Sequence, residues 1–173
     1  MEAFDERGGV LLRVNGGEGG DALGFVPAEV ARRLTALSAL TPVPGARPPV
    51  VGIALADGAV VTVLGIGPLD GGRRGAEREG PYDPGEEWLV PGADRAVLCN
   101  LGGFDVALTG ATVLATGVFD GAPSGDGVLW RSEVVPVIDV RALYAQAEAA
   151  SWAERAASHP AAKMDPVTAL RAQ

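Results

Sequence analysis

The sequence predicts a mainly β protein: two small antiparallel barrels side by side, a short helix in the first half and a helical C-terminal tail. Three observations point there. The 173 residues include 25 glycines and 13 prolines, well above the usual combined share of about 12%, so the chain turns often and its elements are short. Apolar, β-branched runs recur between those turns. One such run repeats: Val60-Val61-Thr62-Val63-Leu64-Gly65-Ile66-Gly67 aligns with Val134-Val135-Pro136-Val137-Ile138-Asp139-Val140-Arg141, each after a hairpin turn, at Asp57-Gly58 and at Ser132-Glu133. Like strands ending two runs of hairpins suit two closed units, because closure leaves no exposed sheet edge.

Taken in order, Val10 to Val14 is a short strand closed by the turn-rich Asn15 to Gly20, with Leu23 to Val26 as its hairpin partner. Pro27 to Leu40 carries Val30, Ala31, Leu34 and Leu37 at helical spacing, and Pro27 suits a first helical turn, so a helix is expected. The prolines of Thr41 to Pro49 end it by enforcing an extended path. Val50 to Leu55 and Val60 to Leu64 flank Asp57-Gly58, a strong hairpin signal. Gly65 to Asp94 is glycine-rich, charged and aperiodic, a long polar loop with Trp88-Leu89-Val90 inside it.

Strands resume at Ala96 to Leu101, turn at Gly102-Gly103 and return through Phe104 to Leu108. Thr112 to Phe119 is a further strand, Asp120 to Gly127 a loop, and Val128 to Trp130 pairs with Val134 to Val140 around Arg131-Ser132-Glu133. From Arg141 the chain is alanine-rich with Leu143, Ala147 and Ala150 on one helical face, broken at His159-Pro160 and followed by a short helix capped by Asp165-Pro166. The expected division is a domain over 1–145, with subdomains near 8–68 and 95–143 around the loop 65–94, and a tail over 146–173.

Charge and composition narrow the function. Fourteen basic residues against 22 acidic ones give a net charge of −8 and a pI near 4.6. Such a surface repels a phosphate backbone, which argues against nucleic acid. No apolar run approaches the ~20 residues of a membrane span. The acidic Met1 to Glu6 lacks the features of a signal peptide, and the single Cys99 leaves no internal disulfide framework. A soluble, cytoplasmic chain is expected.

Thr41-Pro42-Val43-Pro44-Gly45-Ala46-Arg47-Pro48-Pro49-Val50-Val51-Gly52-Ile53 through Val63, together with Ser132 to Leu143 and the hairpin Arg95 to Leu108, resembles the CheW-like family. The resemblance spans most of Val10 to Leu143, with Gly65 to Asp94 unmatched. It implies two five-stranded barrels and a scaffold role, joining a chemoreceptor-like sensor to a histidine kinase regulatory domain, or to another CheW-like domain. It implies partner-binding positions at Val43, Pro44, Gly45, Gly52, Asp57, Gly58, Pro136 and Asp139. The chain departs from the pattern at the first hairpin tip, where Leu55-Ala56-Asp57-Gly58 stands in place of Asn-Leu-Arg-Gly, so that a basic tip becomes acidic and would select a basic partner residue. Thr62 and Gly65 replace the first Pro/Asp pair, whereas Pro136 and Asp139 keep the second.

Catalytic and cofactor chemistry finds little to stand on. The lone His159 lies in the tail, too isolated for a metal cluster or a Ser-His-Asp triad. Cys99 falls mid-strand with no neighbour to lower its pKa. Gly65-Ile66-Gly67-Pro68 mimics part of a dinucleotide loop, but Pro68 intrudes and no helix follows. Glu77, Glu79, Asp83, Glu86 and Glu87 lack the alternation of a calcium loop. The expectation is a non-enzyme without metal or cofactor, holding proteins together in chemotaxis or motility-type signalling, or acting as a stand-alone interaction module in motility, polarity or development. Trp88 is either a latch onto the chain itself or an anchor for a partner. In the tail, Leu143, Tyr144, Ala147 and Trp152 would close the barrel end, while Met164, Val167 and Leu170 would dock on another protein.

Overall fold

The computed structural model describes residues 5–14, 20–37, 39–44, 46–66 and 95–158, with 151–158 as backbone only. The elements run β1 (Glu6–Val14), β2 (Ala22–Pro27), β3 (Ala31–Thr35), β4 (Leu40–Thr41), β5 (Val50–Ala56), β6 (Ala59–Gly65), β7 (Ala96–Asn100), β8 (Asp105–Thr109), β9 (Ala111–Asp120), β10 (Gly127–Trp130), β11 (Glu133–Pro136) and α1 (Val140–Ser158). The fold is mainly β, as the turn-separated runs predict. Trp88, His159 and the acidic residues from Glu77 to Glu87 lie outside the described residues, as do Gly45, the loop beyond Ile66 and the last helix.

Three sheets form: β2-β1-β9, the ribbon β10-β11, and the six-stranded β3-β7-β8-β6-β5-β4. Strands do not sort by halves of the sequence, since β1 and β2 join β9 while everything from β3 to β8 makes the large sheet. Nor do the ladders close into five-stranded barrels. The small sheet and the ribbon meet at two isolated bridges, Phe25 with Val137 and Gly121 with Val128. The strands at these joins are short, with four residues each in β10 and β11, and only two in β4 at the edge of the large sheet. Closure by a continuous ladder runs out of backbone. One pair is parallel rather than antiparallel, β6 with β8 from Thr62–Val106 to Gly65–Thr109, which a long crossover permits.

The expected helix over Pro27 to Leu40 is replaced by β3. Its strand pairs with β7 from Ala31–Cys99 to Thr35–Ala96, with a bulge between Ala31 and Arg33, and the Asn100 N–H donates to the Val30 carbonyl at 2.9 Å. The bulge shifts the alternation by one residue, so Ala31 and Leu34, three apart in sequence, sit opposite Cys99 and Val97 on one face of the ladder. Edge pairing overrides a weak local preference.

Packing is arranged in three layers. Ala54, Ala56, Val61, Val63, Ala96, Leu98 and Ala107 pack on one face of the large sheet. Leu64, Ile66, Val97, Cys99, Val106 and Leu108 point from its other face onto Val10, Leu12 and Val26 of the small sheet and Val140 and Ala147 of α1. The far face of the small sheet gathers Leu11, Phe25, Phe119, Val128 and Val135, with Phe25 edge-on to Phe119 at 5.6 Å and Phe119 edge-on to Trp130 at 5.9 Å. Burying each large side chain contributes about 1.5–3 kcal/mol. The six-stranded and three-stranded sheets therefore each have a core on both faces, and hydrophobic alternation along β1, β6, β7 and β8 divides side chains between them.

Candidate protein-interaction surface

The β5–β6 hairpin is built by its turn. Asp57 (φ 53°) and Gly58 (φ 79°) both adopt positive φ, the combination of a type I′ turn whose twist matches its strands. Above the turn, Ala56 faces Ala59 and Leu55 faces Val60. Leu55 is 52% exposed and Val60 69%, while Ala56 and Val61 are buried. The tip thus presents a cross-strand apolar pair to solvent. Beside it, the Arg33 guanidinium of β3 forms an ion pair with the Asp57 carboxylate. The position where the CheW-like pattern has arginine is acidic here, and a guanidinium reaches the same tip from another strand.

The β10–β11 hairpin repeats the design. Arg131 (φ 51°) and Ser132 (φ 68°) make its turn, Leu129 faces Val134, and Val134 is 51% exposed while Val135 is buried. The turn sits one residue earlier than the sequence suggested, at Arg131-Ser132. The half-repeat therefore aligns Asp57 with Arg131, Val60 with Val134 and Val61 with Val135 in conformation and burial as well as in sequence. Arg131 stacks over Trp130 at 5.5 Å, which occupies its charge within the hairpin.

The other expected positions scatter. Val43, 38% exposed, and Pro44 lie in the loop between β4 and β5, where the Ala46 N–H donates to the Val43 carbonyl at 3.0 Å. Gly52 is buried, and a Cβ there would meet the Thr41 carbonyl oxygen; its bareness lets β4 pair with β5. Gly52 and Asp57 stand near opposite ends of β5, about 15–20 Å apart at ~3.3 Å per residue. Pro136 is exposed and pairs with Gly127. The Asp139 carboxylate accepts the Ala142 N–H at 2.9 Å, capping the first turn of α1. Structure brings Asp57 and Gly58 together and leaves Val43, Pro44, Pro136 and Asp139 apart from them. Leu55, Val60 and Arg33 escaped the sequence reading. The repeat held the signal for Val60, whose exposure needs the register, and the helical spacing hid Arg33.

Two places bear on chemistry. A cleft of about 340 Å³ lies between the ends of β1 and β6 and the start of α1, lined by Val14, Gly65, Ile66, Ile138, Asp139, Ala142, Leu143 and Gln146. Its one charged lining group, Asp139, is engaged as the helix cap. Cys99 is fully buried, its Sγ donates to the Val97 carbonyl at 3.7 Å, and burial, aided by the charge of Asp105, pushes its pKa up to about 12. The thiol stays protonated and unreactive at neutral pH. Among the described residues no His/Cys/Asp/Glu group is placed to hold a metal ion, and no helix is long and apolar enough to cross a membrane.

No family model matches the chain, and no curated protein matches it in sequence. Among solved structures it is similar to the crystal structure of the scaffolding protein CheW from Thermoanaerobacter tengcongensis, with a TM-score of 0.51 and 11% identity over 81% of this chain and 87% of that one. The likeness is one of fold: the chain adopts a CheW-like arrangement of strands.

Proposed function

We propose that this chain is a non-catalytic adaptor that couples a chemoreceptor-like sensor to a histidine kinase regulatory domain in the cytoplasm of a bacterial cell. One observation carries the reading: on a CheW-like fold, the β5–β6 hairpin exposes the apolar pair Leu55 and Val60 on a rigid type I′ turn. A contiguous apolar tip on a rigid hairpin is a contact surface. Val43 and Pro44 form a separate contact at the other end of β5, and Pro136 with Val134 forms the corresponding surface on the second hairpin.

The acidic Asp57, paired with Arg33, favours a second reading: a stand-alone interaction module serving one dedicated regulatory system, with a partner other than an array receptor.

The test is binding of the purified chain to a receptor cytoplasmic tip and to a kinase regulatory domain from the same organism. The adaptor reading expects both to bind, and Val60→Asp to weaken at least one about tenfold, as for loss of an interface anchor. Binding to neither removes the array and leaves the module. Binding unchanged by Val60→Asp and by Val134→Asp removes the hairpins from the account.

A further inference from the structure

Among the described residues, strand β9 is bonded along its length on one side only. Main-chain directions alternate along β1: the Gly8 carbonyl accepts the Ala28 N–H at 2.9 Å on the β2 side, and the Asp5 carbonyl accepts the Gly121 N–H at 2.7 Å on the β9 side. The register pairs Arg7 with Phe119, Gly9 with Gly117 and Leu11 with Ala115. Ala115, Gly117 and Phe119 therefore turn their N–H and C=O groups toward β1, and Thr116 and Val118 turn theirs away. On that outer side β10 pairs with β9 only at the Gly121–Val128 bridge. Among the described residues no main-chain group bonds Thr116 or Val118 from outside. Both residues are exposed, Val118 to 66%.

Natural sheets blunt such an edge with lysine, proline or an inward charge. Ala111 to Phe119 contains none of these. Val118 instead has glycine on two sides, Gly117 in sequence and Gly8 across the ladder, and the space a Cβ would take at Gly117 is open. On the face that Val118 shares, Glu6 and Asp120 are direct cross-strand partners. Like charges so placed destabilise a sheet, and among the described residues neither makes an ion pair: the basic residues paired are Arg7, Arg13 and Arg33, with Asp5, Asp21 and Asp57.

We infer that the free edge of β9 at Thr116 and Val118 takes an added strand from a partner protein, an extended segment with an apolar residue beside Val118 and a Lys or Arg near its end whose side chain reaches the exposed Asp120 carboxylate. The main chain of Thr116 and Val118 supplies the hydrogen bonds, and alternate side chains supply specificity. The charge pattern selects a basic segment over a second copy of this chain, whose net charge is −8. This edge is separate from the Leu55–Val60 tip and stands or falls independently of it.

The probe is the peptide KTVTVTK, with ETVTVTE as control, titrated into the full-length protein and followed by amide hydrogen exchange. In the free protein the Thr116 and Val118 amides exchange fast while those of Gly117 and Phe119 are protected. Saturation with KTVTVTK protects Thr116 and Val118, and ETVTVTE binds less tightly. Val118→Pro deletes an outward N–H that β1 does not use, so it folds, as Gly117 protection reports, and binds KTVTVTK about tenfold more weakly. Asp120→Lys reverses the preference between the two peptides. No peptide binding, binding without protection of Thr116 and Val118, or pairing of β9 with a second copy of the chain would each overturn the inference.

Discussion

Arg33 and Asp57 are ion-paired across the open side of the large sheet. Arg33 belongs to its edge strand β3, Asp57 to the tip of the β5–β6 hairpin, and β7 and β8 lie between those strands in the ladder. The contact shows that the sheet bends round its Ala54–Leu98 core far enough to bring an edge to the tip of another hairpin. It also settles the local charge: the acidic turn that distinguishes this chain from the CheW-like pattern is neutralised from within.

Both side chains of that pair are about half exposed, 48% and 47%, so solvent screens it. Asp57→Asn keeps a residue that tolerates positive φ and is expected to change unfolding free energy by less than ~1 kcal/mol. Asp57→Arg sets two guanidiniums together and costs more than Asp57→Asn. A loss of unfolding free energy larger than this for Asp57→Asn, measured by urea titration, would show the pair to be shielded from water.

Two glycines of the hairpin matter for different reasons. At Gly52 a Cβ would run into the Thr41 carbonyl, a backbone neighbour that cannot swing aside, so Gly52→Ala is expected to cost about 1–3 kcal/mol and loosen β4 from β5. At Gly58 nothing lies within 4 Å, but φ is +79°, so Gly58→Ala costs about 1–2 kcal/mol through the backbone alone. Urea unfolding measures both. Faster amide exchange at Ile53 is expected only for Gly52→Ala, because the pairing of Ile53 with Thr41 is what that variant disturbs.

Asp139 caps α1 through the Ala142 N–H. Asp139→Ala is expected to lower stability by about 1 kcal/mol, whereas Asp139→Asn loses only part of that. Thermal unfolding followed at the helix band of the circular dichroism spectrum tests it. Equal losses for both variants would mean the carboxylate acts through something other than capping.

Cys99 gives a pH signature. Its folded pKa, about 12 against an ordinary 9.0, means that the unfolded chain loses the thiol proton first. The stability tied to this group is intact below pH 9 and falls as pH rises from about 9 toward about 12, with a limiting slope of roughly 1.4 kcal/mol per unit. Cys99→Ala removes that slope, although it costs packing at all pH values. The difference in unfolding free energy between the two proteins should shrink with rising pH across this window; a constant difference would contradict the shift.

The hairpins were legible because each depends on neighbours in the chain. Asp57-Gly58 between β-branched runs forces positive φ at both turn positions, and the repeat of Val60-Val61 at Val134-Val135 carries the same alternation of exposed and buried valines. The helix cap at Asp139 went unread because the resemblance had given that residue a partner-binding role. The candidate surface was half legible: Asp57 and Gly58 were found, but Leu55 and Val60 read as ordinary strand residues until the register placed them on the solvent side.

By itself, then, the order of residues determined most of the local events: which segments extend outside Pro27 to Leu40, where tight turns reverse the chain to within a residue, and that the thiol sits mid-strand with no neighbour to lower its pKa. Tertiary structure alone decided which strands became neighbours. β1 lies beside β9 and β6 beside β8 because apolar faces from distant segments share one interior, and β3 became a strand because the open edge of β7 offered hydrogen bonds that an isolated helix of that composition could not match. The Arg33–Asp57 contact and the edge of β9 that no other described strand pairs along its length are products of that assembly, since each depends on which strand ends up next to which, and that is a property of the packed whole.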